Sequence, residues 1–192
     1  MRGLHDEAVA ERDLNLEMTT LRTRGESLME LGRIDEAKPV LDEALALSVR
    51  MNELWSRTEL TASVALVAAL QGDRERADRL IGQARALARP ADLFAGAYVA
   101  YASARIHETL GRPADAETDY RRSLDAMGAT EFTVPRAWIH LRYVEFLLKS
   151  GRLVDARGEL EQVEPFFRDT TGSIGLRMAA ARTAVAPSSA RG

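Results

Sequence analysis

The chain contains no cysteine, so disulfide bridges and cysteine-ligated metal sites are excluded. It also lacks a long apolar run: the longest, Val64–Leu70, has seven residues, whereas a membrane helix needs ~18. Residues 1–14 contain no apolar core of a signal peptide. Nothing here points to an oxidising compartment or a membrane, and we expect a cytoplasmic protein.

Lysine is almost absent, since it occurs only at Lys38 and Lys149 and the other 24 of the 26 basic residues are arginine. Together with abundant alanine, this bias suggests a GC-rich bacterial gene. The net charge of −3 gives no general attraction to nucleic acid or anionic lipid. Arginines concentrate only between residues 74 and 89, where Asp73, Glu75 and Asp78 alternate with them. This pattern is typical of a solvated helix face, so we expect no direct contact with nucleic acid.

Motifs of catalysis and cofactor binding are missing as well. The three histidines, His5, His107 and His140, are not spaced as metal ligands. No glycine-rich phosphate loop, dinucleotide fingerprint or nucleophile elbow occurs. We therefore expect no enzyme activity, no metal and no cofactor.

What the chain does contain is a repeat. Gly32, Gly72, Gly111 and Gly151 follow one another at spacings of 40, 39 and 40 residues. An alanine stands five positions after each glycine, at Ala37, Ala77, Ala116 and Ala156. A period of this size indicates a stack of supersecondary units that bury their apolar faces against one another.

Each repeating glycine lies between two stretches with helical periodicity. Before Gly72, for example, apolar residues recur at steps of three and four, and they do so again after it. Glycine can adopt positive φ and end the first helix, so the chain reverses into an antiparallel hairpin. The following alanine lets the two helices approach closely. Asp92 and Thr130 are predicted N-caps of two first helices.

These residues resemble the tetratricopeptide repeat (TPR) family, and in particular a long variant of about 40 residues found in bacterial signalling and transcription regulators. The match covers roughly residues 15–170. The residues of the first repeat that carry it are Gly25, Leu28, Gly32, Ala37, Leu41 and Ala44. The resemblance implies an all-α, right-handed solenoid of four helical hairpins plus a C-terminal capping helix.

The glycine register divides the chain into segments. The predicted repeats cover residues 15–52, 53–91, 92–129 and 130–170. Residues 1–14 are expected to be an N-terminal arm or part of another repeat, which suggests a fragment of a longer protein or a decayed cap. Residues 171–186 are predicted to be the capping helix, and residues 187–192 a flexible tail.

Function in this family lies on the concave face, which the resemblance assigns to particular positions of each first helix. The chosen partner-binding residues combine aromatic rings with both signs of charge, a composition typical of interfaces. They are Arg22, Glu26, Glu59, Tyr98, Tyr101, Arg105, Glu108, Trp138, Glu145 and Lys149. An alternative is that these side chains fill the groove against the capping helix or a neighbouring hairpin.

The resemblance thus implies a scaffold that binds a protein or peptide segment in its groove, as part of a bacterial regulatory protein. A second hypothesis is a sensor domain for a small molecule or short peptide in the same groove. Self-assembly into a homo-oligomer is a third.

Overall fold

The computed structural model describes the backbone of residues 2–186 and the side chains of residues 13–186. The predicted tail, residues 187–192, lies outside the described residues. Within this range the chain forms nine α-helices and no strand. They are α1 (Arg2–Glu30), α2 (Ile34–Arg50), α3 (Leu54–Leu70), α4 (Arg74–Leu87), α5 (Leu93–Thr109), α6 (Pro113–Gly128), α7 (Thr133–Lys149), α8 (Leu153–Phe167) and α9 (Gly172–Val185). Among the described residues, no helix combines the length and the apolar character that crossing a membrane would require.

The helices belong to two compact units. Unit 1 ends at Asp119 and contains α1 to α5 with the first half of α6, and unit 2 starts at Tyr120 and contains the rest. The junction between α5 and α6 lies in unit 1, and that between α7 and α8 in unit 2.

The four repeated glycines end the first helices as predicted. Gly32, Gly72, Gly111 and Gly151 have φ values of 72°, 83°, 71° and 72°. At the first of them, the Gly32 amide donates to the Met29 carbonyl at 3.0 Å and the Arg33 amide donates to the Leu28 carbonyl at 2.9 Å. This pair of bonds satisfies two carbonyls at the helix end and reverses the chain.

The alanines that follow these glycines have the packing role that the sequence predicts. Ala37, Ala77, Ala116 and Ala156 are all fully buried. In unit 1, Gly25 of α1 leaves no room for a side chain against α2, because an added Cβ would overlap Leu41 Cγ. Small residues at these positions therefore set how closely the paired helices approach.

The core of unit 1 is organised around α3. Of its 17 residues, 13 are buried, because α2, α4 and α5 all pack against it. Leu60 and Val67 face the cluster that includes Leu41, whereas Ala69 lies in the cluster with Ile106. Because neighbouring helices cover most of α3, its polar side chains lie either in the apolar core or in a polar site formed with those helices.

Unit 2 has an aromatic core. The Tyr120 ring lies 5.4 Å from the Tyr143 ring and 5.5 Å from the Phe146 ring. The last helix, α9, packs against α8 and α7 and buries Met178. It occupies the place in the chain where the sequence predicts the capping helix.

Of the two predicted N-caps, one is confirmed and one is wrong. The Asp92 carboxylate accepts a hydrogen bond from the Ala95 amide at 3.0 Å, as an N-cap should. Thr130 does not cap α7, since the N-cap residue is Phe132. The Thr130 hydroxyl instead donates to the Met127 carbonyl at 2.7 Å, so the threonine closes the end of α6.

Candidate functional site

Four of the predicted site residues form a polar network in unit 1, contributed by α1, α3 and α5. The Arg22 guanidinium donates to Glu59 Oε2 at 3.0 Å. The Tyr98 hydroxyl donates to Glu26 Oε1 at 2.8 Å, across 72 positions of sequence. Helices that are far apart in the chain therefore converge on one site, as the register of the repeats predicts for these positions.

Ser63 also belongs to this network, although the sequence prediction missed it. Its Oγ lies 2.8 Å from the Tyr98 hydroxyl and donates to Glu26 Oε1 at 3.4 Å. The signal available in the sequence was a small polar residue directly before the longest apolar run of the chain, residues 64–70.

Burial dominates the electrostatics of the network. Glu59 is fully buried, and its Oε1 has no hydrogen-bond partner among the described residues. Burial raises the pKa of Glu59 to about 7, with Arg22 acting against the shift and the charge of Glu26 adding to it. Burial also raises the pKa of Glu26, although Arg22, Tyr98 and Ser63 all oppose that shift. Near neutral pH, Glu59 is consequently divided between its two protonation states.

A second group lies beside the first and is partly open to solvent. Arg105 Nη1 donates to the Tyr101 hydroxyl at 3.0 Å and to Glu30 Oε1 at 3.4 Å. The Tyr101 ring lies 6.2 Å from the Tyr98 ring, which connects the two groups. Glu30 is an addition to the predicted set. We call these eight residues the unit 1 cluster: Arg22, Glu26, Glu30, Glu59, Ser63, Tyr98, Tyr101 and Arg105.

Two more of the predicted residues, Glu108 and Lys149, lie towards the C-terminal ends of first helices. Glu108 is half-buried near the end of α5, in unit 1, and Lys149 is exposed at the last position of α7, in unit 2. Their assignment as partner-binding residues stays a prediction.

The two remaining predicted residues, Trp138 and Glu145 of α7, lie in unit 2 and are in contact with α9. The Arg177 guanidinium of α9 is 4.7 Å from the centre of the Trp138 ring. It also donates to both Glu145 oxygens, at 2.5 and 2.9 Å. The Phe167 ring packs edge-on against Trp138 at 6.1 Å. This matches the alternative in which groove residues pack against the capping helix.

Unit 2 also contains an open cavity of about 870 Å³ that the sequence analysis did not predict. The end of α6, α7 and α8 line it, with Tyr143, His140, Glu159 and Phe166 among the side chains. His140 Nδ1 and Glu159 Oε2 are 2.7 Å apart in its wall. The predicted positions all lie on first helices of the hairpins, whereas two of the three helices here are second helices.

Metal ligands are not clustered in the part of the chain that the structure describes. No group of three or more histidine, cysteine, aspartate or glutamate side chains there could hold a metal ion. The two described histidine pairs, His107 with Asp119 at 3.1 Å and His140 with Glu159, each bring together one histidine and one carboxylate.

The sequence matches no protein-family model, and no curated protein is similar to it at a significant level. The solved structures that are similar include the nearly identical TPR-like repeats of a protein assigned as a kinesin light chain from Podosopora anserina and a single-residue variant of them. The first has a TM-score of 0.53 and 18% identity, and the match covers 87% of this chain and 86% of that one. The second has a TM-score of 0.52 and 18% identity, with coverages of 87% and 85%.

At this level of identity the similarity shows the fold alone. The predicted fold class, an all-α solenoid of TPR-like helical hairpins, is thereby confirmed.

Proposed function

We propose that this protein is a non-enzymatic interaction module that docks a segment of a protein partner on the unit 1 cluster. The observation that carries the proposal is the convergence of α1, α3 and α5 on one set of aromatic and charged side chains. Glu26 and Tyr98 meet across 72 residues, and Arg105 reaches Glu30 across 75. Tyrosine and arginine supply most binding energy where they offer a rigid face with a polar end.

The accessible part of the cluster suggests how a partner would bind. The side chains of Arg22, Glu26 and Glu30 are 23%, 28% and 32% exposed, so they can form hydrogen bonds and ion pairs with an incoming chain. Fully buried Glu59 accepts a hydrogen bond from Arg22 at 3.0 Å and so fixes the position of that guanidinium. An extended or helical segment with both signs of charge fits this surface. Arginine-rich composition and the TPR resemblance suggest a role in a bacterial regulatory or signalling protein of the cytoplasm.

Affinity capture from a native lysate tests the proposal. Tyr101→Ala with Arg105→Ala should lose a partner that the unchanged chain retains. Arg79→Ala, which alters an exposed residue of α4, is the matched control and should keep that partner. Circular dichroism must show equal helix content in all three proteins. If the double variant captures the same proteins as the control, the unit 1 cluster is not the docking surface.

A sensor of small ligands is the second candidate, and the cavity in unit 2 favours it. Its volume of about 870 Å³ lies within the range of small-molecule sites. Gly158 lines the cavity, and a Cβ added there meets nothing within 4 Å. Gly158→Leu should therefore place an apolar side chain in the cavity and change its shape and volume. A low-molecular-weight extract that raises the midpoint of thermal unfolding of the unchanged chain, but not of Gly158→Leu, would support the sensor.

A further inference from the structure

The last helix, α9, contacts two residues of α7 that the repeat register assigns to partner binding, Trp138 and Glu145. The Arg177 side chain makes both contacts. Its guanidinium lies over the Trp138 ring at 4.7 Å and binds both oxygens of Glu145. Arg142 Nη1 donates to Glu145 Oε2 at 2.9 Å from the preceding turn of α7. The ring and the carboxylate thus form two sides of a receptor for one guanidinium group.

This receptor is specific for arginine in its chemistry. A planar guanidinium can stack on an aromatic ring and at the same time donate two parallel hydrogen bonds to a carboxylate, which the point charge of lysine cannot do. Burial acts to raise the pKa of Glu145, but the hydrogen bonds and charges of Arg177 and Arg142 outweigh burial, so this pKa is lowered. The carboxylate is therefore ionised and oriented for a cation.

Few apolar side chains of α9 are buried against the rest of unit 2. Only Met178, Ala181 and Val185 of its 14 residues are buried, and Leu176 is 74% exposed. Polar contacts supplement this small apolar surface. Arg182 binds both oxygens of Glu164 at 2.6 and 2.8 Å, and the Arg157 guanidinium donates to the Val185 carbonyl. A helix attached through three buried side chains and a few side-chain ion pairs can be replaced by another that offers the same groups.

We propose that α7 carries a binding site for an arginine side chain of a partner helix, and that α9 is its intramolecular competitor. The contacts of α9 define what the partner presents. It is a helix with an arginine that enters the site, followed one, four and eight positions later by small or apolar residues that replace Met178, Ala181 and Val185. Such docking of a helix on a helical face is a known mode of recognition. The inference does not depend on the unit 1 cluster, so either proposal can fail while the other stands.

The competition has a measurable consequence. A tethered helix acts at an effective concentration on the order of millimolar, so α9 suppresses binding of any free helix with the same contacts. Removing the Arg177 side chain from α9 should weaken the attachment of α9 and so remove most of that suppression. A bidentate bond to a charged group changes an equilibrium by about 10- to 100-fold.

The test uses the full chain and a fluorescent peptide with the sequence of residues 172–185. Fluorescence anisotropy should show that the peptide binds the Arg177→Ala chain at least about 10-fold more tightly than the unchanged chain. A peptide carrying the Arg177→Ala change should lose that gain. If both chains bind the peptide equally, or if neither binds it, the proposal is overturned.

A double-mutant cycle identifies the receptor. In the Arg177→Ala chain, adding Glu145→Gln should abolish the difference between the arginine peptide and its alanine form. Adding Glu164→Gln should preserve that difference, because Glu164 binds Arg182 rather than Arg177. A difference that survives Glu145→Gln overturns the assignment. Should Arg177→Ala reduce helix content, Arg177→Lys keeps the charge, removes the bidentate geometry and should give the same order of affinities.

Discussion

Ionisation of Glu59 should make the stability of this protein depend on pH, and the substitution Glu59→Gln should remove that dependence. The glutamate is fully buried. Arg22 binds one of its oxygens, and the other has no partner among the described residues. Glutamine has nearly the same shape and cannot ionise, so the substitution removes the charge while preserving most of the packing.

The size and sign of the effect follow from the raised pKa. A pKa of about 7 in the folded chain, against the ordinary value of 4.5, corresponds to about 3 kcal/mol. Between these two values the folded state binds more protons than the unfolded state, so the free energy of unfolding falls as pH rises. The contribution of Glu59 is fully present below pH 4.5 and is lost by the time the pH passes the folded pKa of about 7.

Urea unfolding followed by circular dichroism at several pH values between 5 and 8 measures this contribution. From the lower to the higher end, Glu59→Gln should gain about 2.5 kcal/mol relative to the unchanged chain, which is most of the full shift. Glu36→Gln is the control. Arg33 lowers the pKa of exposed Glu36, so its contribution is lost only in acid and stays constant over this interval. A gain of the unchanged chain over Glu59→Gln as pH rises would refute the reasoning, because it would mean that the ionised pair with Arg22 stabilises the fold.

Three further predictions concern packing, turns and the polar network, and each is measured as a change in the free energy of unfolding. Gly25→Ala should cost about 1–3 kcal/mol because its Cβ would overlap Leu41. Gly82→Ala, on the exposed face of α4 where nothing lies within 4 Å, should instead stabilise by about 0.5–1 kcal/mol; equal effects at both sites would contradict the packing argument. Gly72→Ala should cost about 1–2 kcal/mol because the residue has a φ of 83°, and a neutral result would mean that the turn can relax. Tyr98→Phe should cost about 1–3 kcal/mol by leaving Glu26 and Ser63 without its hydroxyl, and an unchanged stability would show that water replaces that group.

Sequence alone could predict the hairpins because their determinants are local and repeated. One position of each repeat adopts positive φ and is glycine, and another is buried between helices and is alanine, so the same two residue types recur in every repeat. The ends of helices depend on single side chains, and there the prediction was less accurate. Thr130 has the chemistry of an N-cap, yet α7 starts three residues later, at Thr133, since the hydroxyl closes the preceding helix.

The unit 1 cluster shows how far a repeat register can predict which side chains meet in the folded chain. It identifies the positions of Arg22, Glu26, Glu59 and Tyr98, which the structure brings together. It does not identify Ser63, whose position carries no family role, and it cannot give the state of Glu59. That state depends on how completely the fold buries Glu59, which is a property of the folded unit rather than of any repeat.

The contact between α9 and α7 could not be predicted in this way, because α9 lies outside the repeats and the repeat register assigns no position to its residues. The repeat register predicts that a partner binds Trp138 and Glu145, and the structure places Arg177 of the same chain on both. The family pattern therefore located residues suited to bind a helix but could not show that this chain supplies one itself. If a partner helix binds that receptor, it must displace α9. Its measured affinity then depends on the difference between the binding free energies of the two helices, not on the full binding free energy of either. Small changes in α9 should therefore regulate binding of the partner without any change in α7.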